Sequence, residues 1–430
     1  MHDSRKGDNL ESTHILISEQ EQSVIERKWW KTSYGIVILF CVVANFINSA
    51  DRVIMPIAIG NIAEEFDYSL VQQGWILSSF PAGYISSQIV SSCACSQLGG
   101  RFLLFFVVLL WSISTLLVPV VASSYHLLIF ARVVLGLGEG LGIPTMYHVL
   151  AQVVPLQKRS VAFSFLAAGG AVGQTLAAAV CPHLKWEYPF YALGVFGLYW
   201  CILWAKTDMH LQPPTDHHLL FQKMRNPLRW WNRFVTLPPL IAIYFAHFCM
   251  NWNAYIIMHW LPTYLRVAFH ADNMAVTLAA LPYFVNSLCG IATGYLVDDL
   301  VNTKKVTLLR ARIYVTVLGL IIPALLLIAF AFVKNLFLAV LLISLSMGAL
   351  AMNSAGHLSN HADVAPKYAG ITFAISNTIA TLPGLTVGPL TAHLVVESSG
   401  RWWPAFILAA VLNFTGAAVY ATYAAVKQVI

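Results

Sequence analysis

Charge is what this chain has least of. Asp, Glu, Lys and Arg make up only 10% of its 430 residues, against 58% hydrophobic ones. A soluble domain carries about 25% charged residues, so a soluble globular fold is excluded. Cysteine is sparse as well: Cys41, Cys93, Cys95, Cys181, Cys201, Cys249 and Cys289 all fall in or beside apolar runs. An odd count gives no disulfide framework, and the expected role is that of small buried hydrophobes. Cys93 and Cys95 lack the further ligands that a metal pair needs. No nucleophile–base pair and no metal cluster stands out in the apolar runs, so an enzyme is not expected, and no cofactor. No cleavable signal peptide is visible. Residues 1–31 are polar and of mixed charge, with Asp3, Glu11, Glu19, Glu21 and Glu26 among them. Acids of that number also argue against a plastid or mitochondrial transit peptide. The stretch Glu11–Leu16 approaches an acidic dileucine sorting signal within what otherwise reads as a solvated tail.

What the chain has in abundance is apolar runs of about 20 residues, the length that spans a bilayer as a helix. The expectation is an all-α polytopic membrane protein of about twelve helices in two six-helix halves. The spans read roughly as 33–57, 70–93, 100–121, 126–149, 160–182 and 188–205, then 237–265, 275–297, 311–332, 336–358, 367–392 and 403–425. This divides the chain into a tail (1–32), a first bundle (33–205), a polar central loop (206–235), a second bundle (236–425) and a short tail (426–430). The paired His217 and His218 in the loop lack companions for a metal tract.

The net charge of +6 is not a nucleic-acid signal; it follows from where the basic residues lie. With both termini on one side, nineteen of the 25 lysines and arginines fall on that side and four (Lys185, Arg266, Lys334, Arg401) on the other. Positive charge gathers on the cytosolic side, so both termini and the central loop are expected in the cytosol. Six spans, a basic loop and six more match a carrier built from two related halves. Gly99-Gly100-Arg101 after the second span and Gly294 with Asp298, Asp299, Lys304 and Lys305 after the eighth echo one another.

Three charges sit inside apolar stretches: Arg52, Arg132 and Glu139. Each costs about 2.5–3.5 kcal/mol at bilayer depth on insertion scales, so each is a functional-site candidate. Two fixed cations and one titratable acid describe a pocket for an anion, coupled to a cation. Arg132 and Glu139 are seven apart in ARVVLGLGEGLGIP (131–144). Seven helical steps return to within about 20° of one face, roughly 10 Å along the axis, so both can point into one cavity. A protonated Glu139 leaves Arg132 free for an anion; an ionised one competes for it. The alternative is a structural ion pair locking two helices. Gly136, Gly138, Gly140 and Gly142 form small-xxx-small pairs suited to close packing. Asn45, Asn48 and Arg52 share a face of the first span, while Asp51 points about 100° away. His247, Asn251, Tyr255 and His259 recur every four residues and form a polar stripe on the seventh span. Ser376, Asn377 and Thr381 lie on the eleventh.

On these motifs the chain resembles the anion–cation symporter branch of the major facilitator superfamily, which includes type-I phosphate transporters, vesicular glutamate transporters, sialin and plant-type phosphate or ascorbate carriers. The resemblance covers most of 45–425. ADRVIMPIAIGNIAEEF (50–66) and ARVVLGLGEGLGIPTM (131–146) are similar to that branch's first- and fourth-helix signatures. FAHFCMNWNAYIIMHWLPTYL (245–265) and NHADVAPKYAGITFAISNTIATLPG (360–384) are similar to its seventh- and eleventh-helix regions. The details around Asp51-Arg52-Val53 and His247 lean toward the plant-type carriers.

The resemblance implies an anion held by Arg52 and Arg132, with Tyr84 near the site and Glu139 as a proton-sensitive element. The chain departs from pattern at Leu77 and Met250, where vesicular glutamate transporters carry a histidine and an arginine. That argues against glutamate as cargo. Sialin differs at Leu135 and Tyr147. Ser96 and Lys158 replace acids usual in the cytosolic loops.

The reading is a secondary transporter of small anions. Inorganic phosphate is the first substrate and an organic carboxylate, sialate-like or ascorbate anion the second. Arg52, Arg132, Tyr84, Asn48, His247, Asn251 and Asn377 are expected to bind the anion. Glu139 would couple protons, or Asp51 with Asn48 would hold sodium. Arg101, Arg159 and Asp298 are expected to gate the cytosolic side. A non-transporting membrane sensor is the alternative from another class. The expected setting is the lipid bilayer of a plasma or endolysosomal/vacuolar membrane rather than a plastid. The protein is expected as a monomer, without nucleic-acid partners.

Overall fold

In the computed structural model, residues 33–88, 94, 97–155, 158–207 and 227–429 are described. The amino-terminal tail with its sorting-signal candidate lies outside them. So do Cys93, Cys95, Ser96 and most of the central loop, with His217 and His218.

Twelve long helices follow one another: α1 (Ser33–Phe66), α2 (Leu70–Gln88), α3 (Gly100–Val121), α4 (Tyr125–Val153), α5 (Arg159–Val180), α6 (Glu187–Lys206), α7 (Pro238–Phe269), α8 (Leu281–Asn302), α9 (Leu308–Phe330), α10 (Leu336–Leu350), α11 (Ala369–Glu397) and α12 (Trp403–Tyr423). A short helix, Pro227–Thr236, precedes α7. The chain alternates between the end of the bundle that carries residue 33 and residue 423 and the opposite, far end.

Among the described residues, eleven helical segments are long and apolar enough to cross a membrane. The exception is α2, which carries Gln72, Gln73, Ser78, Ser79, Ser86 and Ser87. It can be polar because it packs against α4 and α11 in the interior. By contrast α3 exposes Phe102, Phe106, Leu110, Ile113 and Leu117. That spacing of three and four marks one helical face turned to lipid.

Within the first half, α2 packs on α4, α1 on α5, and α3 on both α4 and α6. The α2–α4 contact is backbone against backbone: a methyl group at Gly136 would overlap the Phe80 carbonyl, and one at Gly83 the Val133 carbonyl. The glycines of the fourth span therefore do the packing expected of them. Gly136→Val should destabilise the protein by about 3 kcal/mol or more, since nothing flexible can yield. Gly294→Ala meets open space and should leave the melting temperature in detergent unchanged. Equal melting of the two variants would refute this packing argument.

In the second half α7 packs on α11 and α12, and α10 bridges α8 and α9. Here the sequence expectation of one span over 336–358 is modified. Helix α10 ends at Leu350, tightens into a 3-10 turn (Ala351–Ser354), and resumes as His357–Val364. Asn353 holds the break by donating to the carbonyls of Gly319 and Leu350, both at 2.8 Å. At the terminal end Arg312 donates to Asp363 Oδ2 at 2.8 Å and to the Ala355 carbonyl at 2.6 Å.

The halves meet toward the far end. Gly74 of α2 and Gly388 of α11 touch through their backbones, and Gly384 abuts Pro81. Arg266 of α7 donates to Asn61 of α1. Thr277, before α8, pairs with His183 Nε2 at 2.8 Å. Toward the terminal end, side chains placed at Gly294 and Gly370 would meet open space.

Candidate functional site

The first-half charges converge from two helices, α1 and α4. Arg52 Nε donates to Glu139 Oε2 at 2.9 Å, joining α1 to α4. The sequence spacing points Glu139 toward Arg132 on its own helix, and the structure differs. An axial offset of roughly 10 Å keeps those two apart, so the acid pairs with the arginine facing it across the helix gap. The Arg52 side chain is 22% exposed, whereas Glu139 is fully buried.

Helix α2 supplies a floor of aromatic rings. The Arg52 guanidinium carbon sits 4.8 Å from the Tyr84 ring centre and 5.4 Å from that of Phe80. Arg132 is also 5.4 Å from Phe80. Two guanidinium groups thus share one ring, each gaining cation–π attraction in place of water. Arg132 is 2% exposed and its Nε has no hydrogen-bond partner. Arg52 Nη2 and Glu139 Oε1 are likewise buried without one. Orphaned buried polar atoms of this kind cost about 1–3 kcal/mol each and mark places where a ligand or water belongs.

Asp51 turns away from the cradle and accepts from Thr115 Oγ1 at 3.1 Å, in keeping with its 100° offset from Arg52. It nonetheless lies within electrostatic reach of Arg132. Asn48 packs near Gly142 of α4, its amide nitrogen and oxygen both unpartnered.

The polar stripe of α7 splits in two. Tyr255 and His259 reach the cradle: Tyr255 lies within electrostatic reach of Arg52, and His259 within that of Arg132. Tyr255 also bonds the Thr381 side chain of α11, and the rings of Tyr255 and His259 are 5.4 Å apart. Toward the terminal end, Asn251 donates to the Ala380 carbonyl at 2.8 Å and His247 Nδ1 pairs with Ser376 Oγ at 2.8 Å. These two stitch α7 to α11 away from the arginines. Asn377 is half-buried on α11, and its carbonyl accepts from Thr381.

The gating candidates sit at the terminal end. Arg101 donates to the carbonyls of Ala205 and Thr207, and Arg159 to those of Val154 and Ala151. Both therefore cap helix C-termini of their own half, where a cation is favoured. Asp298 is exposed.

Phe80, Tyr255 and His259 complete the cradle. The last two carry a sequence signal, the four-residue repeat on α7, but nothing in it says where along the helix the stripe leaves the arginines. Phe80 is one more apolar residue in an apolar run and carries no signal by itself.

Twelve helices in two halves, with paired cations buried at their junction, define a membrane carrier of the alternating-access class. Known proteins agree. Residues 41–385 match the Major Facilitator Superfamily model. Sodium-dependent phosphate transport protein 1 of Arabidopsis thaliana chloroplasts is 29% identical over 99% of this chain and 86% of its own length. Human sialin is 33% identical over 84% of this chain and 77% of its own. The crystal structure of a bacterial homologue of the human lysosomal transporter Spinster, inward-facing and unoccupied, superposes with a TM-score of 0.76 at 16% identity, over 91% of this chain and 97% of the other. The chain belongs to the Major Facilitator Superfamily, in its anion–cation symporter branch. It is an integral membrane protein whose relatives are transporters rather than enzymes.

Proposed function

We propose that this protein is a secondary active transporter of a small anion, inorganic phosphate first, bound between Arg52 and Arg132 and moved by alternating access. The observation that carries the reading is the pair of guanidinium groups over Phe80, one latched to Glu139 and the other with a free Nε. An entering anion would take Arg132 Nε and displace Glu139 from Arg52, using charge-assisted contacts. Protonation of Glu139 removes the competitor, so proton and anion would load together. Sodium is the second coupling candidate, favoured by the unpartnered oxygens Asp51 Oδ1 and Asn48 Oδ1.

The charge asymmetry favours a cytosolic position for both termini. The far-end contacts between halves then correspond to closure on the non-cytosolic side, with the site reached from the cytosol. Arg101, Arg159 and Asp298 would act at that mouth, and the two bundles 33–205 and 236–425 would rock as units. An organic carboxylate is the second cargo, favoured by the aromatic faces of Tyr84, Tyr255 and His259, which suit a substrate with a carbon body.

The test is reconstitution into proteoliposomes with labelled phosphate, ascorbate, sialate and glutamate, under imposed proton, sodium and voltage gradients. Accumulation of phosphate driven by a proton or sodium gradient is expected, with glutamate inert. Failure to move any of the four anions would overturn the reading.

A further inference from the structure

The second half holds a buried cluster of imidazoles that the anion site does not use. His247 of α7, and His357 and His361 of the segment after the α10 break, are exposed by 3%, 0% and 2%. The His247 and His357 rings are 5.6 Å apart. Phe373 of α11 lies against both His247 and His361, at 6.1 and 5.7 Å, and is itself 44% exposed.

The hydrogen bonds fix two of the tautomers. Asn353 uses its amide nitrogen as donor to two carbonyls, so its oxygen faces His357 Nδ1 at 3.2 Å as an acceptor. His357 must therefore carry its proton on Nδ1. Thr372 spends its hydroxyl proton on the Ala369 carbonyl, so it accepts from His361 Nδ1 at 3.0 Å. In both neutral rings the bare lone pair is then on Nε2. Both Nε2 atoms are buried and have no partner. A bare imidazole nitrogen accepts a proton, a water hydrogen or a metal ion. Among the described residues no group is arranged to share a metal ion.

We infer that His357 and His361, held by Asn353 and Thr372 and neighboured by His247, form a proton-binding site of the second half, separate from Glu139. The proton comes from hydronium at the terminal end, forms an N–H bond at Nε2 and leaves water behind. The charged and titratable groups facing the cluster are few. Helix α7 presents Tyr244, stacked on His361 at 6.2 Å, and His247. Helix α9 presents Arg312, already paired with Asp363. Helix α12 presents Tyr420, which accepts from Asn360. Helix α11 presents Thr372, Ser376 and Phe373. Among the described residues no carboxylate beyond Asp363 is at hand to neutralise an imidazolium, so the loaded proton awaits an anion. His247 precedes Tyr255 by eight residues, roughly 12 Å along α7. At that range and an effective dielectric near 20, one charge changes the affinity for another about tenfold. Proton and anion would each load better in the presence of the other.

The measurement uses the intact protein in nanodiscs with 15N-labelled histidine. The expected result is an Nδ1–H tautomer near pH 8 for His357 and His361, gaining an Nε2 proton as the pH is lowered. The protonation midpoint should shift upward by about one pH unit when saturating phosphate is added. In proteoliposomes, His357→Gln/His361→Gln should flatten the acid stimulation of uptake about tenfold while retaining uptake near pH 8. Imidazoles whose Nε2 atoms gain no proton down to the lowest pH at which the protein stays folded, with and without phosphate, would overturn the inference. So would a double variant with the original pH profile. A Glu139→Gln background separates the two sites, because the histidine signals should titrate there unchanged.

Discussion

Arg132→Ala is expected to abolish anion uptake while leaving the fold intact. The argument rests on what Arg132 lacks. It is buried, its Nε is without a partner, and its compensation is a shared ring and the distant carboxylates of Asp51 and Glu139. Removing an uncompensated buried cation relieves desolvation rather than breaking a bond, so thermal melting should hold or rise slightly. Transport should suffer in proportion to the lost contact. Truncating one member of a buried, hydrogen-bonded charge pair costs about 2–5 kcal/mol, which weakens anion binding by roughly 30-fold or more. Lysine should fail to rescue, since a point charge does not reproduce the guanidinium's planar fork or its stacking on Phe80. Uptake in liposomes and a melting curve, measured side by side, check this. A folded alanine variant with ordinary uptake would remove Arg132 from the site.

Glu139→Gln carries the second large effect, with a different signature. Glutamine keeps the shape of the acid but not its charge, so Arg52 is released as if Glu139 were permanently protonated. Losing one partner of a buried pair typically costs about 3–5 kcal/mol. Here the low end is expected, because Arg52 is 22% exposed and keeps its contacts with Tyr84 and Phe80. Anion exchange should persist, and anion affinity at neutral pH should rise. Net uptake driven by a pH gradient should fall about tenfold or more. Counterflow and gradient-driven uptake, compared across pH in one preparation, separate the two. An unchanged pH dependence would assign coupling elsewhere.

The sequence carries the architecture because a bilayer demands it. Apolar length and the positions of lysine and arginine are one-dimensional quantities, and both survive folding unchanged. The intramembrane charges were legible for the same reason, since nothing else in their runs resembles them. Partnership was not. Helical spacing places Arg132 and Glu139 on one face, but only the placement of α1 beside α4 in the folded bundle hands Glu139 to Arg52. The α7 stripe shows the same limit. Its four polar residues share a spacing, yet Tyr255 and His259 reach the cradle while His247 and Asn251 bond Ser376 and the Ala380 carbonyl of α11, a division that spacing alone does not encode. His357 and His361 were hidden by the break at Ala351–Ser354, which hydropathy reads straight through.

The backbone contact between α2 and α4 has a consequence for how such a carrier changes its diet. Phe80, Tyr84, Arg132 and Glu139 are mounted on two helices pressed together without intervening side chains, so this wall of the site is inherited as a fixed casting. The opposite wall, Tyr255 and His259 backed by Thr381, hangs on side chains that can be exchanged singly. Divergence toward new nutrients, and any attempt to retune the protein by design, should therefore accumulate on α7 and α11, with the guanidinium wall left as it stands.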